Sequence, residues 1–314
     1  MGATAGMDSR LHPISVRKSG NFLTQIDSTS LSGAGSSPGY PNSAKWPELR
    51  QFLADHERLF VLTGAGCSTD SGIPDYRDRN GEWKRQAPVL FQDFVNDART
   101  RKRYWARSLV GWRRMMQAAP NDAHRALASF EEQGRIELLV TQNVDGLHQA
   151  AGSRNVIDLH GRIDSISCLV CSMQISREQM QTTLTQQNPA FAALDAVAAP
   201  DGDADLQDID FSAFSVPPCD ACGGILKPNV VFFGESVPAQ RVLNAMSAVA
   251  ACDAMLVVGS SLMVLSGFRF AKAAAETGKP VVAINIGRTR ADDFLTLKIS
   301  ESCARVLPQL LQDA

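Results

Sequence analysis

Four short apolar runs limit what this chain can become. They are LFVLT (Leu59–Thr63), IELLVT (Ile136–Thr141), AMLVVG (Ala254–Gly259) and VVAINIG (Val281–Gly287). Each is rich in β-branched or aliphatic residues, lacks polar alternation and gives way to Gly, Asn or Ser. Such runs fit strands covered on both faces, as in a parallel sheet. Stretches with helical signals lie between them. NDAHRALASFEEQG has Asn121 as an N-cap and Gly134 as a stop, and LSGFRFAKAAAETG ends at Gly278 with Pro280 just beyond. An opening helix, WPELRQFLADH, starts near Trp46. Strands alternating with helices predict an α/β fold built on a doubly wound parallel sheet, whose ligands bind outside the carboxyl ends of the strands.

The chain has 314 residues and a formal net charge of −2, room for one large domain or two unequal ones. That balance points to no nucleic-acid partner. No membrane span is expected. The best apolar stretch, Ala248 to Leu265, is broken by Asp253, Gly259, Ser260 and Ser261. Gly2 does not make a myristoylation signal, because Gly6 stands where Ser or Thr is needed. Residues 1–44 are rich in Ser and Gly and are expected to be a disordered tail, with order from 45 to 314. The expected location is cytoplasmic. Arg10, Arg17 and Lys18 in the tail keep a mitochondrial matrix as the alternative.

Four of the seven cysteines form two knuckles, Cys168-x-x-Cys171 and Cys219-x-x-Cys222; Cys67, Cys252 and Cys303 stand alone. Paired C-x-x-C knuckles are a zinc signal. Four thiolates close a tetrahedral site and leave no position for water, so the metal is expected to be structural. A redox dithiol is the alternative, but it needs one pair rather than two. The region from about 162 to 228 also holds several prolines and the acidic run APDGDADLQDID, and it reads as a small inserted module.

Three further segments carry candidate chemistry. In TGAGCSTDSGIPDYR (Thr63–Arg77), Gly64 and Gly66 allow backbone N–H groups to approach a pyrophosphate. The third glycine of the usual fingerprint is missing, since Thr69 occupies its place. In TQNVDGLH, Gln142, Asn143 and Asp145 suit ribose hydroxyls or a carboxamide; a plain Asn/Asp-Gly turn is the other reading. In DLHG, His160 follows the apolar pair Val156 and Ile157 and can face a cleft as a general base, or serve the structure alone. GGILKPNVVFFGE and VVGSSLMVLSG read either as strand-to-loop transitions or as two edges of a groove.

Taken in order, GAGCSTDSGIPDYR, TQNVD, LHG, the four cysteines, KPNVVFFGE, GSSL and NIG resemble the sirtuins over about residues 45–311. KRYWARSLVGW, APDGD, VLSGFRF and NIGRTRADD resemble the class II branch, which includes mitochondrial sirtuin four and bacterial homologues. The resemblance implies a Rossmann-like large domain with a smaller inserted zinc-binding domain, and NAD and Zn(2+) as cofactors. It implies NAD contacts from Gly64, Ala65, Gly66, Cys67, Ser68, Ile73, Pro74, Asp75, Tyr76 and Arg77. Further contacts are implied for Gln142, Asn143, Val144, Asp145, Gly259, Ser260, Ser261, Asn285, Ile286, Gly287 and Cys303. His160 matches the catalytic base, and Asn143 and Asp145 suit a site that orients a developing ribosyl cation. Val231, Phe232, Phe233, Gly234, Glu235 and Val264 match the edges that clamp a peptide by strand addition. Cys168, Cys171, Cys219 and Cys222 match the zinc ligands.

The implied activity is NAD-dependent protein-lysine deacylation, releasing nicotinamide and O-acyl-ADP-ribose. The implied partners are acyl-lysine proteins, and a monomer is expected. Protein mono-ADP-ribosylation is the alternative enzyme reading. An NAD-binding sensor with little turnover is the alternative of another class. The chain departs from the family where many sirtuins have VxPF, since Val264, Leu265, Ser266 and Gly267 stand there. Tyr104 and Arg107 lie three apart in a helical stretch and so share a face. A Tyr-x-x-Arg pair marks desuccinylating sirtuins, which implies acceptance of acyl groups ending in a carboxylate. The alternative is an apolar channel walled by Trp105 or Leu109.

Overall fold

The computed structural model describes residues 45–85, 88–196, 199–206 and 209–311. The tail expected over residues 1–44 lies outside the described residues. Nine strands are described: β1 (Leu59–Thr63), β2 (Ile136–Thr141), β3 (Val156–Asp158), β4 (Gly161–Cys168), β5 (Gln174–Ser176), β6 (Leu226–Val230), β7 (Ala254–Val258), β8 (Val281–Ile284) and β9 (Leu297–Ile299). The helices are α1 (Trp46–Asp55), α2 (Phe91–Asn96), α3 (Ala98–Met115), α4 (Asp122–Glu132), α5 (Leu147–Ala150), α6 (Arg177–Gln187), α7 (Pro189–Ala192), α8 (Ala239–Ala251), α9 (Leu265–Glu276) and α10 (Cys303–Leu311).

Six strands form one parallel sheet in the order β3-β2-β1-β7-β8-β9. The order reverses between β1 and β7, which is the switch point where ligands of such sheets bind. The central strands β1 and β7 are buried at every position, which explains their unbroken apolar sequences. Leu59 and Val61 pack under α1, α4 and α10. Phe60 and Leu62 point the other way, under α8 and α9. Each such side chain stabilises the fold by ~2 kcal/mol before the entropy of ordering it is counted. Register decides where the site lies. Thr63 stands opposite Thr141 and Val258, and Val258 opposite Ile284. The segments starting at residues 64, 142, 259 and 285 therefore leave the sheet at one level, on one edge.

Asn121 caps α4 by accepting from the N–H groups of Ala123 and His124, as its position in the sequence predicts. Gly134 follows the helix with φ +75°. A second sheet, β5-β4-β6, is antiparallel and falls between β3 and β7 in the chain. Its apolar side packs on α3 and α6 through Ile166, Met180, Leu184, Trp105 and Leu109. On α3, Gly111 lets the loop after Pro200 sit directly on the helix backbone. A Cβ there would lie 2.3 Å from the Gly202 carbonyl oxygen and 2.5 Å from the Asp203 carbonyl carbon.

Candidate active site and metal centre

The loops after β1 and β7 meet backbone to backbone. The Gly64 N–H donates to the Val258 carbonyl at 3.1 Å and the Gly66 N–H to the Gly259 carbonyl at 2.8 Å. A Cβ on Gly259, whose φ is +60°, would lie 2.2 Å from the Cys67 nitrogen. Close approach of the two loops thus rests on a glycine from each side of the switch point, Gly66 and Gly259. Above these loops opens a cleft of about 1550 Å³. Gly64, Ala65, Gly66, Gly259, Ser260 and Ser261 line it, as do Asn285, Ile286, Gly287 and Cys303. Asp75, Tyr76 and Arg77 also face it. Arg77 lies 3.9 Å over the Trp83 ring and donates to the Gly81 carbonyl, while Lys84 pairs with Asp75. Cys67, Ser68 and Ile73 are buried and, like the half-buried Pro74, are not among the lining residues.

Gln142, Asn143 and Val144 reach the cleft, but Asp145 does not. The Asn143 amide donates to the Gly64 carbonyl at 3.1 Å and to Ser68 Oγ at 3.0 Å. Ser68 in turn donates to Asp145 Oδ2 at 2.7 Å, and Asp145 Oδ1 accepts from the Leu147 N–H that opens α5. In this structure Asp145 is therefore engaged in capping and in holding Ser68. Through Ser68, Asp145 is linked to Asn143, which does reach the cleft.

Behind Ser68 lies a buried cluster of Cys67, His124 and His148. His124 Nδ1 accepts from the Asn121 N–H, and His148 Nε2 hydrogen-bonds Thr63 Oγ1 at 2.9 Å. Burial pushes the His124 imidazole down to about 4 and the His148 imidazole down to about 3. In the unfolded chain both take up a proton near pH 6.5, so between that pH and about 4 the unfolded state binds more protons than the native one. Stability should be fully present above pH 6.5 and fall as the pH drops. With ~1.4 kcal/mol per unit of depression, the loss is on the order of a few kcal/mol. Urea midpoints should fall between pH 7 and pH 5, before most carboxylates titrate. A midpoint that stays flat over that range would exclude buried neutral imidazoles.

His160 follows β3 and lines the cleft. Its Nδ1 lies 2.9 Å from the Gln142 carbonyl oxygen, which can only accept, so Nδ1 carries the proton. Its Nε2 lies 2.7 Å from Ser266 Oγ. Burial lowers its proton affinity and keeps the ring neutral. The Gln142 amide is itself held, donating to Ser260 Oγ at 2.6 Å and to the Thr63 carbonyl at 3.2 Å.

The opposite wall comes from Val231, Phe232, Phe233, Gly234 and Glu235, with Val264 facing them across the cleft. Phe232 to Glu235 form a turn, closed by the Glu235 N–H donating to the Phe232 carbonyl at 3.0 Å, rather than an extended edge. Glu235 accepts from the Phe232 N–H and pairs with the buried Lys227 at 3.1 Å. Val230, the last residue of β6, and Val231 also line the cleft, and the Val231 N–H donates to the His160 carbonyl at 2.7 Å. Tyr104 and Arg107 line the far end. The Tyr104 ring packs against Phe94, Phe232 and Trp105. Arg107 is bound to Asp203 at 2.7 Å, so its charge is already countered. Trp105 and Leu109 are buried in the core beneath and do not line the cleft, which corrects the reading that they wall an apolar channel. Ser266, Asp203, Arg103 and Ser302 line the cleft without having been singled out in the sequence. Arg103 and Asp203 fall within the quoted KRYWARSLVGW and APDGD motifs, and Ser266 within the departure from VxPF, but none of the three stood out there as a cleft residue.

The four knuckle cysteines converge at the far end of the small sheet. Cys168 Sγ and Cys222 Sγ are 3.5 Å apart, Cys171 Sγ and Cys219 Sγ 3.7 Å, and all four sulfurs lie within 4.8 Å of one another. Sulfurs bound to zinc at ~2.3 Å in a tetrahedron lie about 3.8 Å apart, so the set fits zinc. Gly224 makes room, since a Cβ there would meet Cys168 Sγ at 2.9 Å.

A doubly wound sheet with a glycine-lined switch point, a cleft-facing histidine and a four-cysteine module describes a nucleotide-dependent enzyme with a structural metal. The Sir2 family profile matches residues 64–266, and the chain belongs to the Sir2 family. It is 61% identical over 263 residues to NAD-dependent protein deacetylase 2 of Bradyrhizobium diazoefficiens, covering 84% of this chain and 96% of the relative. It is 60% identical to the NAD-dependent protein deacetylase of Bordetella bronchiseptica, with the same coverage of 84% and 96%. Among solved structures, Sir2 with a p53 peptide and NAD+ superposes with a TM-score of 0.69 at 30% identity, covering 85% of this chain and 97% of that one. Sir2 with a deacetylated p53 peptide and 3′-O-acetyl ADP ribose gives a TM-score of 0.70 at 31% identity, covering 85% and 98%.

Proposed function

We propose that this protein is an NAD-dependent protein-lysine deacylase with a structural zinc. The observation that carries the reading is His160. Its Nδ1–H is fixed on the Gln142 carbonyl, and its lone-pair nitrogen meets Ser266 Oγ in a cleft shared by the glycine loops and the Val231–Glu235 wall. NAD supplies an activated ribose whose nicotinamide the acyl-lysine oxygen displaces. The chain's own residues do the rest. Gly64 to Gly66 and Gly259 to Ser261 hold the dinucleotide, Asn143 orients the ribose, and Val231 and Val264 grip the peptide. His160 takes the proton from a ribose hydroxyl, and the aromatic group of Tyr76, Trp83 and Phe233 helps exclude water. Residues 45–314 form the catalytic unit in this reading, with the zinc module at about 162–228 bound through Cys168, Cys171, Cys219 and Cys222. The test is an acyl-lysine peptide panel with NAD and mass detection of products. O-acyl-ADP-ribose and free lysine are expected, and ADP-ribose attached to protein would replace this reading with transferase activity.

The acyl preference is proposed to include chains ending in a carboxylate. Arg107 can hold such a group bidentately, but it must share its charge with Asp203. Asp203→Asn should raise the ratio of glutaryl to acetyl kcat/KM by roughly 3- to 10-fold, as expected when one charge-assisted partner is removed. Arg107→Met should lower it. If neither variant moves the ratio, the distal carboxylate is not read at this end of the cleft.

A further inference from the structure

Ser266 sits where the chain leaves the family's VxPF pattern, and it touches the reactive nitrogen of His160. It lies in the first turn of α9, after Val264, which makes no side-chain cap. Its hydroxyl is spent on His160 Nε2 at 2.7 Å. The next residue explains how α9 comes so near. A Cβ on Gly267 would lie 2.5 Å from Gln142 Oε1, so a larger residue there would have to displace the Gln142 amide from its bonds to Ser260 and Thr63 or hold the start of the helix back. Ser266 and Gly267 therefore act together. The glycine permits the approach, and the serine uses it to close a clamp in which the ring is held by the Gln142 carbonyl on one side and a hydroxyl on the other.

The directions of these bonds follow from the donors. With Nδ1 protonated, neutral His160 offers one lone pair, at Nε2, and Ser266 donates to it. A hydroxyl entering the cleft finds that lone pair taken. It can donate instead to Ser266 Oγ, which has lone pairs of its own and lines the same cleft.

We propose that Ser266 is the proton relay between the cleft and His160. The step rests on the deacylase reading above. As the ribose hydroxyl becomes a nucleophile, its O–H bond breaks and a new O–H forms on Ser266. The original Ser266 O–H breaks in the same movement, and N–H forms at His160 Nε2. Two protons move, the serine ends as it began, and the charge appears as imidazolium on His160. The hydrogen bond persists with its direction reversed, Nε2–H then donating to Ser266.

Three variants test this: Ser266→Ala, Ser266→Thr and His160→Ala. In the NAD-free protein, the ¹⁵N shift of His160 Nε2 should move toward that of an unbonded lone pair in Ser266→Ala, while the Nδ1–H signal stays. Ser266→Ala should slow deacylation by roughly 10- to 100-fold, less than loss of the base itself. Exchange of free nicotinamide into NAD, which precedes the base step, should change less than twofold. Ser266→Thr, which keeps the hydroxyl, should restore deacylation. The proton inventory in mixed H₂O and D₂O should be bowed for wild type and linear for Ser266→Ala. Wild-type turnover in Ser266→Ala, an equal fall in exchange and deacylation, or a linear wild-type inventory would each overturn the relay. If wild type showed no NAD-dependent deacylation, the functional reading would fail instead, and an unmoved Nε2 shift would still dismiss the hydrogen bond.

Discussion

His160→Ala should lower deacylase turnover by about two to four orders of magnitude, the range for removing a positioned general base. That corresponds to ~3–5 kcal/mol of transition-state stabilisation. The structure separates this loss from binding. The imidazole's two hydrogen bonds go to Gln142 and Ser266, not to the glycine loops after β1 and β7. NAD should therefore still raise the melting temperature of the variant as it does that of wild type. Because His160 is neutral and its proton affinity is lowered by burial, activity should persist to pH values below the ordinary imidazole range. Turnover within threefold of wild type would remove His160 from the mechanism.

Cys168→Ser should cost both folded yield and activity. Structural zinc in small modules contributes apparent binding energies of ~10–16 kcal/mol, and forming the site is part of folding. The coupling to activity runs along two strands. β4 extends from Gly161, beside the base, to Cys168, and β6 runs beside it from Leu226 to Val230, one residue before Val231. Loosening the metal end frees the edge whose Val231 N–H is bonded to the His160 carbonyl. Metal analysis should find one zinc per chain in wild type and less in the variant. A variant with unchanged melting temperature and zinc content would defeat the structural assignment.

The large sheet was legible because its strands are buried on both faces. Leu59–Thr63 and Ile136–Thr141 were found at their observed ends, and the runs at Ala254 and Val281 each continued past the strand into its loop. The three-residue β9 carries too few side chains to show a period. The cleft residues at strand ends were visible because Gly, Asn and His are unusual after apolar runs. What stayed hidden depends on contacts between distant segments. The sequence does not show that Asp145 accepts hydrogen bonds from Ser68 and from the Leu147 N–H. Arg107 reads as a free guanidinium until Asp203, 96 residues later, lies against it. Trp105 and Leu109 gave no sign of which helix face meets the small sheet.

The contact at Gly111 separates two properties of the Arg107 end of the cleft, its packing and its charge. There α3 and the segment at 200–203 touch backbone to backbone, with no side chain at position 111 to hold them apart. Editing Asp203 changes the electrostatics of that segment without lifting it off the helix. Adding a single methyl at position 111 does the reverse, acting as a shim that lifts the segment while leaving its charges in place. Packing and charge beside Arg107 can thus drift independently, one through a helix glycine and the other through a loop acid.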